Sequence, residues 1–262
     1  LERLKIVSCL RPSFDRIRPL SIALSKTRED LLALTEDQYK YLDALENSPR
    51  ILCMGGAGCG KTMMAVESLR REMNNNPILV TGTPLLAKYL RGENVPDPKR
   101  IFSFDEIKET SFSKKYSVLI VDEGQQITNK SAFSLLGGLL DKPLQEARWL
   151  WFSDPNNQLS LSSEFDAGAQ NDLQGWAHNT VNLKTNCRNT SEVIKAVEFV
   201  TGVALGSTRI KGSGLEVIHG EESDPDKMIE EAAKQIKLWV EEREVVPGQI
   251  ILLSRLPIEA SS

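Results

Sequence analysis

The chain has 262 residues, of which 40% are hydrophobic and 26% charged, with a formal net charge of −4. That much apolar side chain excludes disorder as the dominant state, and no run of about 18 apolar residues is present to span a bilayer. The four cysteines (Cys9, Cys53, Cys59, Cys187) make no CxxC pair and the two histidines, His178 and His219, stand apart. Neither a zinc site nor a disulfide framework is therefore expected, and a reducing, cytoplasmic setting fits.

The slightly acidic balance gives no global signature of nucleic-acid binding, though it leaves room for a local basic groove. The first residues lack the apolar core of a signal peptide, and Leu1 in place of an initiator Met is expected of a piece of a longer chain. Residues 1–30 carry seven Lys/Arg against four acids, with Pro12 and Pro19 interrupting any long helix. This reads as a basic lead-in over 1–32, a solvated surface segment in preference to a nucleic-acid contact.

From there the pattern alternates helix and strand. LTEDQYKYLDAL predicts a helix, with Thr35 as N-cap and Gln38 as its capping-box partner. Arg50–Met54 is a short apolar run ending in glycines, a buried strand, and a helix over Lys61–Met73 follows. Ile78–Val80 is the next strand, then a short helix near Leu85–Leu90. Val118–Val121 and Trp149–Phe152 are further strands. Their runs are continuous rather than alternating, as in strands covered on both faces. Strands separated by helices imply a parallel α/β sheet, placed here over 33–206. Another helix ends before Gly202, with Asn189 or Ser191 as its cap. A second unit is expected over 207–262: a strand at Leu215–Ile218, a helix opened by Ser223-Asp224-Pro225, and a strand at Ile250–Leu253. Met228, Ala232, Gln235/Ile236 and Trp239 would form that helix's buried stripe.

Gly55-Gly56-Ala57-Gly58-Cys59-Gly60-Lys61-Thr62 fits G-x-x-x-x-G-K-[ST], after a predicted strand and before a predicted helix. Glycines let successive backbone N–H groups turn inward onto phosphate oxygens, and the helix N-terminus adds partial positive charge. Lys61 would reach the β and γ phosphates of ATP, and the Thr62 hydroxyl would ligate Mg²⁺. The Val118–Val121 strand ends in Asp122-Glu123. Asp122 is the expected second holder of Mg²⁺, and Glu123 the expected general base for an attacking water.

These residues resemble superfamily 1 helicases of the UvrD/Rep kind. Asp122-Glu123-Gly124-Gln125 looks like motif II, D-E-x-Q. Leu34-Thr35-Glu36-Asp37-Gln38 resembles the Q motif that clamps adenine, and Asn186-Cys187-Arg188 looks like motif IV, N-Y-R, whose arginine touches the γ-phosphate. Thr81-Gly82-Thr83 sits where motif Ia contacts single-stranded DNA, and Ser153-Asp154 where motif III begins. The motifs fall in the family's order over residues 34–188. The wording around residues 34–62, with the later DEGQ and TNCRNTSEVI, is similar to helicases that carry an N-terminal nuclease-related (NERD) domain.

The resemblance implies a RecA-like domain, the start of a second one, and a motor that hydrolyses Mg-ATP while moving on single-stranded or tailed DNA. Glu123, Gln125, Arg188 and Lys61 would then be catalytic, Thr81, Thr83 and Lys88 would meet DNA, and Asp154 with Asn157 or Gln158 would couple phosphate to DNA. The chain also departs from the family. Motif III offers both Asn157 and Gln158 where one Gln is usual, and Cys187 replaces the adenine-stacking tyrosine. Only 34 residues separate Thr83 from Val118, where relatives insert a sizeable helical subdomain, so that insertion is expected to be minimal, deleted or absent here. Motifs V and VI have no counterpart in these residues, so an incomplete ATPase site is expected.

Other candidates have plainer readings. Trp149 and Trp151 fit core packing better than a base-stacking platform. Cys59 lies at a helix N-terminus, which would lower its thiol pKa, but a small residue filling a tight loop suits it as well. Lys88 and Arg91 fit a phosphate contact and a solvated helix face equally. A nucleotide-switched binding module without unwinding activity is the alternative function. A small-molecule kinase is disfavoured by the acid and amide of Glu123 and Gln125.

Overall fold

The computed structural model describes residues 38–44, 46–93, 95–154, 166–208, 210, 212 and 224–252. Asp30–Lys211 form one compact unit, and Gly212–Ser262 fall in another.

In the larger unit a helix over 38–44 (α1) leads to β1, Arg50–Gly55. The chain continues through α2 (Lys61–Glu72), β2 (Pro77–Thr81), α3 (Pro84–Gly92), β3 (Ile101–Ser103), α4 (Phe104–Glu109) and β4 (Val118–Asp122). After these come α5 (Lys130–Leu139), β5 (Arg148–Ser153), α6 (Ala167–Trp176), β6 (Asn179–Leu183) and α7 (Ser191–Thr201). The strands make one six-stranded sheet in the order β3-β2-β4-β5-β1-β6, every pair parallel. This is the RecA-like P-loop α/β fold, and the strands predicted from continuous apolar runs are its centre.

Period-two alternation splits those runs between two cores. Leu52, Ile78, Val80, Leu119, Val121, Trp149 and Trp151 face α5 and α6, meeting Phe133, Leu136 and Leu173. Ile51, Cys53, Leu79, Val118, Ile120, Leu150 and Phe152 face α2 and α3, meeting Met64, Leu69, Ala87 and Leu90. Trp149 and Trp151 are wholly buried, and the Trp149 indole donates to Leu144 O at 2.9 Å. Both tryptophans are core, as the plainer reading held.

Several elements carry no signal that the sequence analysis used. Strand β3 is three residues long. Strand β6, at the sheet edge, reads NTVNL, with only Leu183 buried and Thr180 and Asn182 exposed. Helix α5 ends in a Gly-Gly pair that dilutes its pattern, and α6 has few apolar residues. Thr190, not Asn189 or Ser191, stands at the N-cap position of α7, without a side-chain hydrogen bond, and Gly202 closes the helix in the left-handed conformation. The Thr35 cap lies outside the described residues.

Arg91, offered as a DNA contact, is occupied within the fold. Its guanidinium donates to Ile101 O and to both carboxylate oxygens of Glu106, tying α3 to β3 and α4. Glu106 also accepts from Ser103 N, completing a capping box. The Arg91 hydrogen bond above all, with Ser103, holds the Glu106 carboxyl down at about 2. A depressed acid stabilises the fold above its unfolded pKa and loses that contribution as pH falls toward its folded one. Glu106→Gln should therefore cost about 1 kcal/mol or less at pH 7, given the partial exposure of the pair. The deficit should close between about pH 4.5 and pH 2, as read by denaturant titration at stepped pH.

In the other unit Pro225–Glu241 form α8, with Asp224 capping and Pro225 in its first turn. The helix matches expectation, but the stripe does not pack as predicted. Met228 is 54% exposed, and Ile236 and Trp239 are only half-buried. The strand proposed at Leu215–Ile218 lies outside the described residues. Residues 250–252 are not in a ladder, and Ile251 and Leu252 are exposed; without a pairing strand among the described residues they have nothing to extend against. Among the described residues no helix is long and apolar enough to cross a membrane.

Candidate nucleotide site

The strand order decides which loops meet. Strand β5 lies between β1 and β4, so the loops leaving their C-terminal ends are neighbours, the usual place for a ligand in a parallel sheet. Gly55–Thr62 leaves β1, Asp122–Gln126 leaves β4, and Asp154 follows β5.

The loop from β1 curls back into α2 through Gly58 at φ 87° and Gly60 at φ 81°. At Gly58 a side chain is excluded twice, by the left-handed backbone and by the Asn186 amide, which would lie 2.7 Å from an added Cβ. Lys61 is buried under this turn. Its Nζ donates to Gly55 O at 2.7 Å and Gly56 O at 3.0 Å and lies 3.8 Å from the Asp154 carboxylate. Cys59 is buried too, and burial pushes its thiol up, against the pull of the nearby Lys61 charge. The lowering expected from the helix N-terminus is thus overridden, and Cys59 serves as a small filler of the loop.

Asp122 ends β4 fully buried, and neither carboxylate oxygen has a well-aligned hydrogen-bond partner. Burial raises its carboxyl to about 6. The Thr62 hydroxyl and Lys61 pull the other way, while Glu123 adds to the rise. Two hard oxygen donors, a buried carboxylate and a hydroxyl, suit a hard cation such as Mg²⁺. The raised pKa costs stability in full above about pH 6, and that cost shrinks as pH falls from there and is gone below the unfolded value near 4. Asp122→Asn should thus raise unfolding free energy at pH 7 by on the order of 1–3 kcal/mol, with little gain at pH 4. Thermal melts at the two pH values check the sign.

Glu123 adopts φ 56° and ψ 39°, left-handed backbone that a non-glycine residue holds at a cost. Gln125 Nε2 donates to its carboxylate at 2.5 Å, and Gln125 Oε1 accepts from Asp154 N at 2.9 Å. Gln125 thus joins the loop after β4 to the loop after β5. Gly124 admits no side chain, because the Trp151 indole nitrogen would lie 2.1 Å from its Cβ.

On the other flank Gln38, on α1, is buried. Its Nε2 donates to Thr185 O at 3.3 Å and lies 3.5 Å from Cys187 Sγ, while Oε1 is buried without a partner. Arg188 is exposed beside these residues. Asn186, passed over in the sequence except as the first letter of a motif, is fully buried against the phosphate loop, with Nδ2 donating to Ala57 O at 2.9 Å.

The DNA candidates fare differently from one another. Thr81 is fully buried and donates its hydroxyl to Thr83 O, so its side chain is turned into the fold. The Thr83 hydroxyl caps α3 by accepting from Leu86 N. Lys88 is exposed on α3. Asn157 and Gln158 lie outside the described residues.

Residues 51–137 match the family model of the viral superfamily 1 RNA helicase core domain. Among solved structures the chain is similar to a Bacteroides Pif1 bound to single-stranded DNA, at 14% identity over 57% of this chain and 41% of that one, TM-score 0.33. It is also similar to arterivirus nonstructural protein 10, a helicase solved with DNA, at 16% identity over 68% of this chain and 44% of that one, TM-score 0.38. The chain spans less than half the length of either. No curated protein is similar to it. The matched segment runs from β1 into α5 and takes in the glycine-rich loop Gly55–Thr62 and the Asp122–Gln125 turn, so these two loops of the candidate site lie in the part of this chain that is similar to a superfamily 1 helicase core.

Proposed function

We propose that this chain is the ATP-hydrolysing core of a superfamily 1 helicase or translocase that moves on single-stranded DNA. The observation that carries the proposal is the carboxylate of Asp122, buried and unsatisfied beside Thr62 and Lys61, with Gln125 holding Glu123 next to it. A fold that only packed would not keep such a group.

The phosphate loop would wrap the β and γ phosphates with its N–H groups, and Lys61 would exchange its carbonyl partners for phosphate oxygens. Asp122 and Thr62 would hold Mg²⁺, which when bound neutralises phosphate charge. Glu123, oriented by Gln125 Nε2, would take the proton of the attacking water on a carboxylate oxygen. Gln38 would receive the base through its free Oε1, and Arg188 would face the γ-phosphate. Asp154, gripped by Gln125 and close to Lys61, would carry the state of the phosphate site to the loop after β5. Lys88 on α3 is the remaining DNA candidate. The wording of residues 34–62 extends the proposal to a parent protein with a nuclease-related domain, of the UvrD/Rep kind.

The test is ATP turnover by the parent protein with and without a single-stranded oligonucleotide. Mg-dependent turnover that rises with oligonucleotide is expected. Binding without turnover under either condition would favour the nucleotide-switched module instead.

A further inference from the structure

The buried Asn186 amide uses all of its hydrogen-bonding capacity. Nδ2 donates to Ala57 O at 2.9 Å and Leu205 O at 3.0 Å. Oδ1 accepts from Arg188 N at 3.1 Å and Asn189 N at 2.9 Å. Two donors and two lone pairs is the full inventory of an asparagine side chain. Its orientation is fixed as well, since a flipped amide would set NH₂ against two N–H groups and oxygen against two carbonyls.

The backbone around it is pinned to match. Asn186 N donates to Ser207 O, and Cys187 N donates to Gly58 O, both at 2.8 Å. Gly58 passes so close to the amide that a Cβ there would touch it. The segment 204–205 lies against Gly56, because a Cβ on Gly56 would stand 3.1 Å from Ala204 O and 3.4 Å from Leu205 Cα. One side chain thus joins the curve of the phosphate loop, the segment covering it and the turn that presents Arg188.

We propose that Asn186 is a positioning residue that links the shape of the phosphate loop to the placement of Arg188. This rests on the nucleotide-site reading above. The amide acts in two separable halves: its NH₂ sets the loop through Ala57, and its oxygen sets the turn through the N–H groups of residues 188 and 189. Asparagine is the residue the site demands. Aspartate keeps the acceptor but turns a carboxylate oxygen onto two carbonyls, and alanine removes both halves.

The experiment measures Mg-ATP affinity by calorimetry and turnover for wild type, Arg188→Ala, Asn186→Ala, Asn186→Asp and both double variants. Asn186→Ala should weaken Mg-ATP binding by roughly tenfold or more, because buried partners are left unsatisfied. It should also abolish the effect of Arg188: adding Arg188→Ala should change turnover by less than about twofold. In the Asn186→Asp background the affinity loss should remain, but Arg188→Ala should still cost the factor it costs in wild type. A generally loosened fold would not separate the two halves in this way. An undiminished Arg188 effect in Asn186→Ala would overturn the proposal, as would unchanged Mg-ATP affinity in Asn186→Asp, which also decides the matter if the alanine variant does not fold. Failure of wild type to bind Mg-ATP would instead sink the nucleotide-site reading itself.

Discussion

Glu123→Gln is expected to bind Mg-ATP as tightly as wild type and to turn it over about 10²–10⁴-fold more slowly, the usual contribution of a positioned general base. The geometry makes this a clean substitution. The new amide has the size of the carboxylate, and its oxygen can still accept from Gln125 Nε2, as the carboxylate does at 2.5 Å. The left-handed backbone at residue 123 makes the same demand on either side chain. What is lost is the ability to take a proton. Single-turnover hydrolysis alongside a binding titration separates the two, and turnover within about twofold of wild type would remove Glu123 from the base role.

Lys61→Ala is expected to weaken Mg-ATP binding by about 1.5–3 kcal/mol or more, the scale of a charge-assisted hydrogen bond. The surroundings push the effect toward the upper end. Lys61 is the cation that faces Gly55 O, Gly56 O and the Asp154 carboxylate. Without it, incoming phosphate loses the charge that Lys61 holds toward two carbonyls and the Asp154 carboxylate. Lys61→Arg is not a conservative replacement here, because a planar guanidinium presents its donors in a fixed fork where the ammonium acts as a compact point charge. Equilibrium titration with Mg-ATP measures the loss, and wild-type affinity in Lys61→Ala would refute the assignment.

The parts of this architecture that were legible are those written in strong local chemistry. Glycines at fixed spacing between an apolar run and a helical pattern announced the phosphate loop. Unbroken apolar runs at residues 78–80, 118–121 and 149–152 announced strands buried on both faces. Asp122-Glu123 stood out because charge ended such a run. Elements that depend on neighbours left weaker traces. Strand β6 carries three polar residues in five because it closes the edge of the sheet, and β3 is a three-residue strand paired with β2.

Individual side chains were read least well where burial decides their role. Thr81 has the position of a DNA contact, yet it is the last residue of β2, paired with Ser103 and Asp122, and is buried with them. The helix N-terminus at Cys59 argues for a low pKa, but desolvation outweighs it. Gln125 reads as a residue aimed at water, and the fold uses it to join Glu123 to Asp154. Asn186 was legible only as the first letter of a motif, because two of its four partners, Ala57 O and Leu205 O, lie on segments that the fold alone brings beside it.

The central claim is that Gly55–Thr62, with Asp122, forms a site for Mg-ATP. Calorimetric titration of the protein with ATP, in Mg²⁺ and again in excess chelator, tests it most directly. One saturable site that is weakened without Mg²⁺, and weakened again by Asp122→Asn in the presence of the metal, is the predicted result. The absence of any saturable binding in Mg²⁺ by a folded protein would contradict it.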